Sequence, residues 1–208
     1  MALTKFKTSD LVPCKDATLM WVFIDPPGKP DLNGKPRFVA SLYVKTESEE
    51  CKALKELIED FWDDNKPKGA KIAKSLGFKP VMSKDEAGNE VETEFTSFNF
   101  WTGTTFKDGS TRTIDIYNAK GNKVSLGSKK IGNGSKGAIS GAMDIYDNGP
   151  SARGVTLYLS AIQITKFVEF TSDAGFSAQE EDEDAFEGVD TFEGTTSAPA
   201  ETTGKPRL

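Results

Sequence analysis

Histidine is absent from all 208 residues. That removes the commonest general base, the commonest zinc ligand and the usual partner of a nucleophilic Ser or Cys. The patterns Gly-x-x-x-x-Gly-Lys-[Ser/Thr], Gly-x-Ser-x-Gly and His-Glu-x-x-His are missing too, so the expectation is a non-enzyme with no metal and no cofactor. Cysteine is scarce: Cys14 and Cys51 match no metal or redox spacing and read as two reduced thiols of a cytoplasmic protein. No apolar run approaches the ~18 residues that a membrane span requires, and the opening Met-Ala-Leu-Thr-Lys-Phe-Lys-Thr-Ser-Asp lacks the apolar centre of a signal peptide. The reading is a soluble, unexported chain without a membrane. One further absence is local: from Asp173 to Glu193 there is no Lys or Arg.

That stretch holds nine carboxylates, with Phe176, Phe186 and Phe192 among them. Of the chain's 26 Lys plus Arg and 32 Asp plus Glu, residues 173–208 carry 2 and 10, which leaves 24 against 22 in the body. A mildly basic body near +2 is therefore joined to a segment near −8. Such a chain holds polyanions with one part and imitates a polyanion with the other. The division expected is one domain over 1–172, long enough for a sizeable core, and a disordered acidic tail over 173–208.

In the body the signals are mostly those of strands. Ala17–Asp25 is a continuous apolar run closed by Pro26-Pro27-Gly28 and reads as a buried strand. Arg37–Lys45 alternates: Phe38, Ala40, Leu42 and Val44 fall on one face, Arg37, Val39, Ser41, Tyr43 and Lys45 on a second that is cationic, aromatic and wet. Thr46-Glu47-Ser48-Glu49 fits a capping box before a helix whose stripe is Cys51, Leu54, Leu57, Ile58, Phe61 and Trp62. A short second helix is expected over 70–76, stopped at Gly77. Glu92–Phe106 is expected to form a hairpin with Arg112–Tyr117 through Asp108-Gly109. Val155–Phe170 changes the parity of its apolar residues midway, which calls for a β-bulge near Ala161. Several strands, one inserted helix and no βαβ alternation give the fold class: all-β with an inserted helix, an OB-fold-like antiparallel barrel.

The binding candidates follow from the faces. Glu94–Trp101 presents Phe95, Ser97, Asn99 and Trp101 on one side and Thr96, Phe98 and Phe100 on the other. Either the sheet is covered twice, or one set is a platform on which bases stack. Trp101 is the choice for the platform; Phe98 and Phe100 read as core, with Phe98 the alternate for the platform. Arg112, Tyr117 and Tyr146 lie at strand ends with Tyr43 and Lys45 as companions. Ser128–Gly137 packs Lys129, Lys130 and Lys136 among glycines, a composition that lets backbone amides and ammonium groups approach phosphate. Its alternative is a loop of merely solvated charges.

Three segments together resemble a known family. Ile116-Tyr117-Asn118-Ala119-Lys120-Gly121-Asn122-Lys123, Lys130-Ile131-Gly132-Asn133-Gly134-Ser135-Lys136, and Leu157-Tyr158-Leu159-Ser160-Ala161-Ile162-Gln163-Ile164 with Phe167-Val168-Glu169-Phe170 are similar to the phage-encoded single-stranded DNA-binding proteins of the short-tailed coliphage type. Arg37–Val44 followed by a helix looks like the same family's early strand. The resemblance implies an OB-fold that coats single-stranded DNA in phage replication and recombination in the host cytoplasm. It implies that Tyr146 is a base-stacking residue. It also implies an acidic tail, here Glu180, Glu181, Asp182, Glu183 and Asp184 with Phe186 and Phe192, that competes for the DNA groove and contacts phage replication proteins. Family tails end acidic with a terminal aromatic residue, whereas this chain runs on to Gly204-Lys205-Pro206-Arg207-Leu208. A reading from another class is a structural or adaptor β-barrel of a virion, its tail a solubilising linker.

Overall fold

The computed structural model describes residues 3–149 and 151–171. Met1–Thr171 forms one compact unit. The tail residues singled out above, from Glu180 to Phe192, lie outside the described residues. In chain order the elements are β1 (Thr4–Lys7), a 3-10 turn (Thr8–Asp10), β2 (Thr18–Phe23), β3 (Lys29–Pro30), β4 (Pro36–Lys45), α1 (Glu49–Asn65), β5 (Phe78–Lys84), β6 (Glu90–Gly103), β7 (Asp115–Tyr117), β8 (Lys123–Val124), β9 (Ser135–Asp147) and β10 (Arg153–Lys166).

Alternation in β4 sets the inside of the molecule. Phe38, Ala40, Leu42 and Val44 are all buried, and their β6 partners Thr102, Phe100, Phe98 and Thr96 point the same way. Pairing then runs β2 to β4 to β6, on to β10 and β9, and from β9 back to β2. The sheet thus closes on itself as a five-stranded barrel. Its pairings are antiparallel except where β6 meets β10, at Phe100 with Leu157 and Trp101 with Tyr158. This is an OB-fold, with β2, β4, β6, β9 and β10 as its five barrel strands. β1 extends the edge of β9, β3 pairs with β4, β5 with β6, and β7 with β10.

Long strands bend around so small a barrel by means of bulges. β10 shifts register between Leu159 and Ala161, where the parity change placed it. Leu157 and Leu159 before the shift and Ile162 after it are all buried. Gly141 makes room at the same level: a Cβ there would lie 2.6 Å from the Tyr158 carbonyl oxygen. The α1 stripe covers one end of the barrel with Cys51, Leu54, Ile58 and Trp62 buried, while Leu57 and Phe61 are half-buried at its margin. Each fully buried Leu or Phe contributes about 1.5 to 3 kcal/mol. Cys14 and Cys51 are both free thiols.

Four local readings need correction. The helix cap is Ser48, whose Oγ accepts the Cys51 amide at 3.1 Å, while the Thr46 hydroxyl is shared with Thr96 at 3.0 Å. Residues 70–76 are not helical. Pro67 and Gly69 leave too short a run to offset helix nucleation, and the segment instead bonds along β10, Lys74 N–H to the Arg153 carbonyl and Val155 N–H to the Ser75 carbonyl. The Asp108-Gly109 turn forms, but pairing continues only to Thr105 with Thr111, after which β7 leaves to run parallel with β10. Finally, β2 is not buried throughout: Trp21 has φ 53° and is 51% exposed, and Phe23 is 41% exposed.

Candidate nucleic-acid interface

The outer face of β4 and β6 carries the side chains that point away from the barrel interior. Tyr43 stands opposite Ser97, Ser41 opposite Asn99, and Val39 opposite Trp101. β10 continues the last row with Tyr158 beside Trp101. Here the polar groups are already ordered. Ser41 and Ser97 each donate a hydroxyl to Asn99 Oδ1 at 2.9 Å, which fixes the orientation of the Asn99 amide.

Trp101 is half-buried rather than freely exposed. The Arg37 guanidinium lies 4.0 Å over its ring, and Tyr158 meets it edge-on at 5.4 Å. Arg37 is in turn clamped by Asp31 at 2.6 Å. Hydrogen bonds from the Lys35 and Asn33 amides, with the Arg37 charge, hold the Asp31 carboxyl below the usual carboxylate range. A second arginine repeats the motif: Arg112 lies 4.2 Å over Phe106, and its buried Nε has no partner among the described residues. Burial pushes the Tyr158 phenol up and Asp144 pushes it the same way, while Arg37 and Arg112 pull it down, so both arginines share its neighbourhood. Guanidinium planes stacked on rings are stiff cationic surfaces, suited to bases and phosphates together.

Two clefts meet at this row. One, of about 510 Å³, is lined by Trp21, Lys29, Arg37, Ser41, Asn99 and Trp101. The other, of about 350 Å³, is lined by Ser75, Lys79, Asn99, Trp101, Tyr146 and Thr156. Asn99 and Trp101 belong to both. Burial raises the Tyr146 phenol above its ordinary range.

Trp21 is the residue that sequence reasoning missed. Its left-handed backbone, which costs a bulky residue about 1 to 2 kcal/mol, breaks the β2–β4 register between Met20 and Phe23 and turns the indole outward. Asn133 Oδ1 accepts its amide at 2.7 Å, and its Nε1 donates to the Tyr43 hydroxyl at 3.3 Å. Both sides of Ala17–Asp25 are apolar, so the kink leaves no trace in the alternation. Tyr158 is a second omission, although the parity that locates the bulge puts it on the wet face.

The expected site residues separate accordingly. Arg37, Tyr43, Trp101 and Tyr146 line the two clefts or bond to residues that do, and Arg112 flanks Tyr158. Phe98 does not belong to the site. It is fully buried, because its parity is that of Phe100 and both point into the barrel. Tyr117 is elsewhere, in a cavity with Lys7, Ser140 and Gln163. Lys45 pairs with Glu94 at 3.2 Å at the far end of β4. The glycine-lysine loop is mostly engaged: Lys129 pairs with Glu169 at 2.9 Å, and Lys136 donates to the Thr18 hydroxyl at 2.7 Å. Lys130 borders a smaller cleft beside Trp21, Phe23 and Phe170. No group of three or more acidic or cysteine side chains suited to a metal occurs among the described residues.

Solved structures share this architecture. The chain is similar to the structure of gp2.5, a single-stranded DNA-binding protein encoded by bacteriophage T7, with a TM-score of 0.54 and 17% identity over 86% of this chain and 100% of that one. It is likewise similar to the single-stranded DNA-binding protein of bacteriophage Enc34 in complex with single-stranded DNA, with a TM-score of 0.54 and 15% identity over 74% of this chain and 84% of that one. A C-terminally truncated form of the Enc34 protein matches with a TM-score of 0.51 and 13% identity. The fold is the one these phage proteins share. No protein-family model matches the sequence, and no curated protein matches it significantly.

Proposed function

We propose that the protein binds single-stranded DNA without sequence preference and without catalysis. The observation that carries this is the meeting of two clefts at Trp101 on the outer face of β4 and β6, the second and third barrel strands, which is the surface OB-folds use for oligonucleotides. Unpaired bases stack on the rings of Trp21, Trp101 and Tyr146, and Arg37 and Arg112 answer the phosphates. The similarity in fold to phage proteins that bind single-stranded DNA supports the same reading. Duplex DNA stacks its bases on one another and has none to offer such a face, so the preference is for single strands.

The role we assign is to coat DNA during phage replication and recombination in the host cytoplasm. The acidic segment from Asp173 to Glu193 competes with DNA for the cationic face and presents itself to replication proteins when DNA displaces it. Reach supports this: Phe170 borders the cleft of Trp21 and Phe23, and its amide is bonded to the Lys130 carbonyl. A tethered segment acts at an effective concentration of about millimolar, so interactions that are individually weak suffice.

Oligonucleotide titration followed by tryptophan fluorescence tests the proposal, since Trp21 and Trp101 line the clefts and Trp62 is buried under α1. Quenching by single strands of any composition is expected, with an affinity that falls as salt rises. No quenching and no retention on single-stranded DNA at low salt would overturn it.

A further inference from the structure

The glycine-lysine loop is not the only basic segment. From Asn65 to Lys84 the chain carries six lysines, at 66, 68, 71, 74, 79 and 84, and no carboxylate. The preceding α1 is the reverse, with seven acids and two lysines. Lys66 is absorbed by Asp63 at 2.6 Å. Lys68, Lys71, Lys74 and Lys79 are exposed and form no ion pair among the described residues.

This connector is fixed at a defined place. Its Ser75 lies parallel to Gly154, bonded through the Val155 amide at 2.9 Å, and its Lys74 amide reaches the Arg153 carbonyl at 2.7 Å. The approach is close enough that a Cβ on Gly154 would overlap the Ser75 carbonyl oxygen, and one on Gly77, at φ 79°, would lie 2.6 Å from Leu157 Cγ. Beyond it Asn99 N–H donates to the Gly77 carbonyl at 2.8 Å, and Lys79 stands opposite Ser97. The connector is therefore one wall of the cleft that Trp101 and Tyr146 share.

We propose that residues 68–79 form a phosphate track: their free lysines hold the sugar–phosphate backbone of a single strand whose bases lie against Trp101 and Tyr146. This rests on the single-stranded DNA reading and deepens it. Two features make the connector the better electrostatic partner than the 128–137 loop. Its ammonium groups at 68, 71, 74 and 79 form no ion pair among the described residues, whereas Lys129 of that loop is paired with Glu169; and its backbone from Lys74 to Gly77 is bonded to β10 and β6, which keeps the charges beside the aromatic groove.

The test compares two full-length triple variants with equal loss of charge. One changes Lys68, Lys71 and Lys74 together to Gln; the other changes Lys5, Lys7 and Lys120, on the Tyr117 side, to Gln. Binding of an oligo-dT is measured across a salt series, with thermal melts to verify folding. Removing one ammonium–phosphate pair flattens the log-log slope by about 0.7, so two to three such pairs give about 1.4 to 2.1 for the first variant. The second should keep the wild-type slope, and Lys→Arg at 68, 71 and 74 should preserve it also. A first variant with wild-type slope, or equal flattening in both variants, overturns the track while leaving the binding reading intact. Wild-type protein that does not bind the oligonucleotide overturns the reading beneath it.

Discussion

Trp101 and Tyr117 are both candidate stacking residues near strand ends, yet the barrel puts them in different company. Around Trp101 are Arg37, Tyr158, an oriented Asn99 and two clefts. Around Tyr117 the cavity is walled by Ala138, Ile139, Ala161 and Ile162, with Gln163 bonding the Asn118 carbonyl at 3.1 Å. One place gathers rings and guanidinium planes, and the other offers a single ring in a cavity shared with Lys7, Ser140 and Gln163. An aromatic residue becomes a platform through its neighbours more than through its own exposure.

The largest effect should divide the two sites. Trp101→Ala is expected to weaken single-stranded DNA binding by about 1 to 3 kcal/mol, and Tyr117→Ala to leave it unchanged. Equal losses in the two variants, measured by oligonucleotide titration, would erase the distinction. Next comes Trp21, where ring and backbone strain are separable. Trp21→Gly removes the indole but suits a φ of 53°, so affinity should fall while the melting temperature holds or rises. A variant that melts early and binds normally would make Trp21 a structural residue.

A smaller effect belongs to the tail. A chain ending at Thr171 should bind single strands more tightly than the full protein, by a few-fold, with the gain greatest at low ionic strength. Changing Phe186 and Phe192 to Ser should recover part of that gain with every carboxylate retained. In the Trp101→Ala background the gain should shrink, since the tail and DNA then compete for a poorer face; an undiminished gain would move the tail's site elsewhere. The smallest effect concerns pH. The Asp31 carboxyl titrates below its unfolded value of about 3.9, so its hold on Arg37 is complete above that value and is lost as pH falls through the folded one. NMR titration should find the Asp31 midpoint low, and Asp31→Asn should return Arg37 to solvent at neutral pH.

Where a signal is local, the sequence is readable. Alternation in β4, the α1 stripe and the parity change in β10 each depend on residues a few places apart, and each locates its element. The site is readable where it inherits that alternation, as Arg37, Tyr43 and Trp101 do. Phe98 is misplaced because Phe95, Phe98 and Phe100 put aromatic rings on both faces of one strand, and only the closure of the barrel decides which is inside. The lysines show the other limit. Lys129 looks free until Glu169, forty positions on, pairs with it, and Lys136 until its ammonium donates a hydrogen bond to the Thr18 hydroxyl. The carboxylate that pairs with Lys129 comes from distant sequence, whereas Lys68, Lys71, Lys74 and Lys79 form no ion pair among the described residues. The kink at Trp21 depends on Asn133, 112 residues away, and no window in the chain contains both.

Closing the barrel with β10 has a consequence for when the protein becomes competent. β6 finds its parallel neighbour only at Leu157 and Tyr158, after more than three quarters of the chain has been made. Until then β2, β4, β6 and β5 form an open sheet in which the Phe100–Trp101 end of β6 has no neighbour beyond β5 on the edge away from β4, and the groove lacks Tyr146, Tyr158 and the anchor of the lysine connector. Pairings so distant in sequence form slowly, because the loop entropy is lost before the pairing compensates it. On the proposed single-stranded DNA reading, the groove is therefore incomplete until β10 is in place. The strand that completes it is the one directly followed in sequence by the acidic segment.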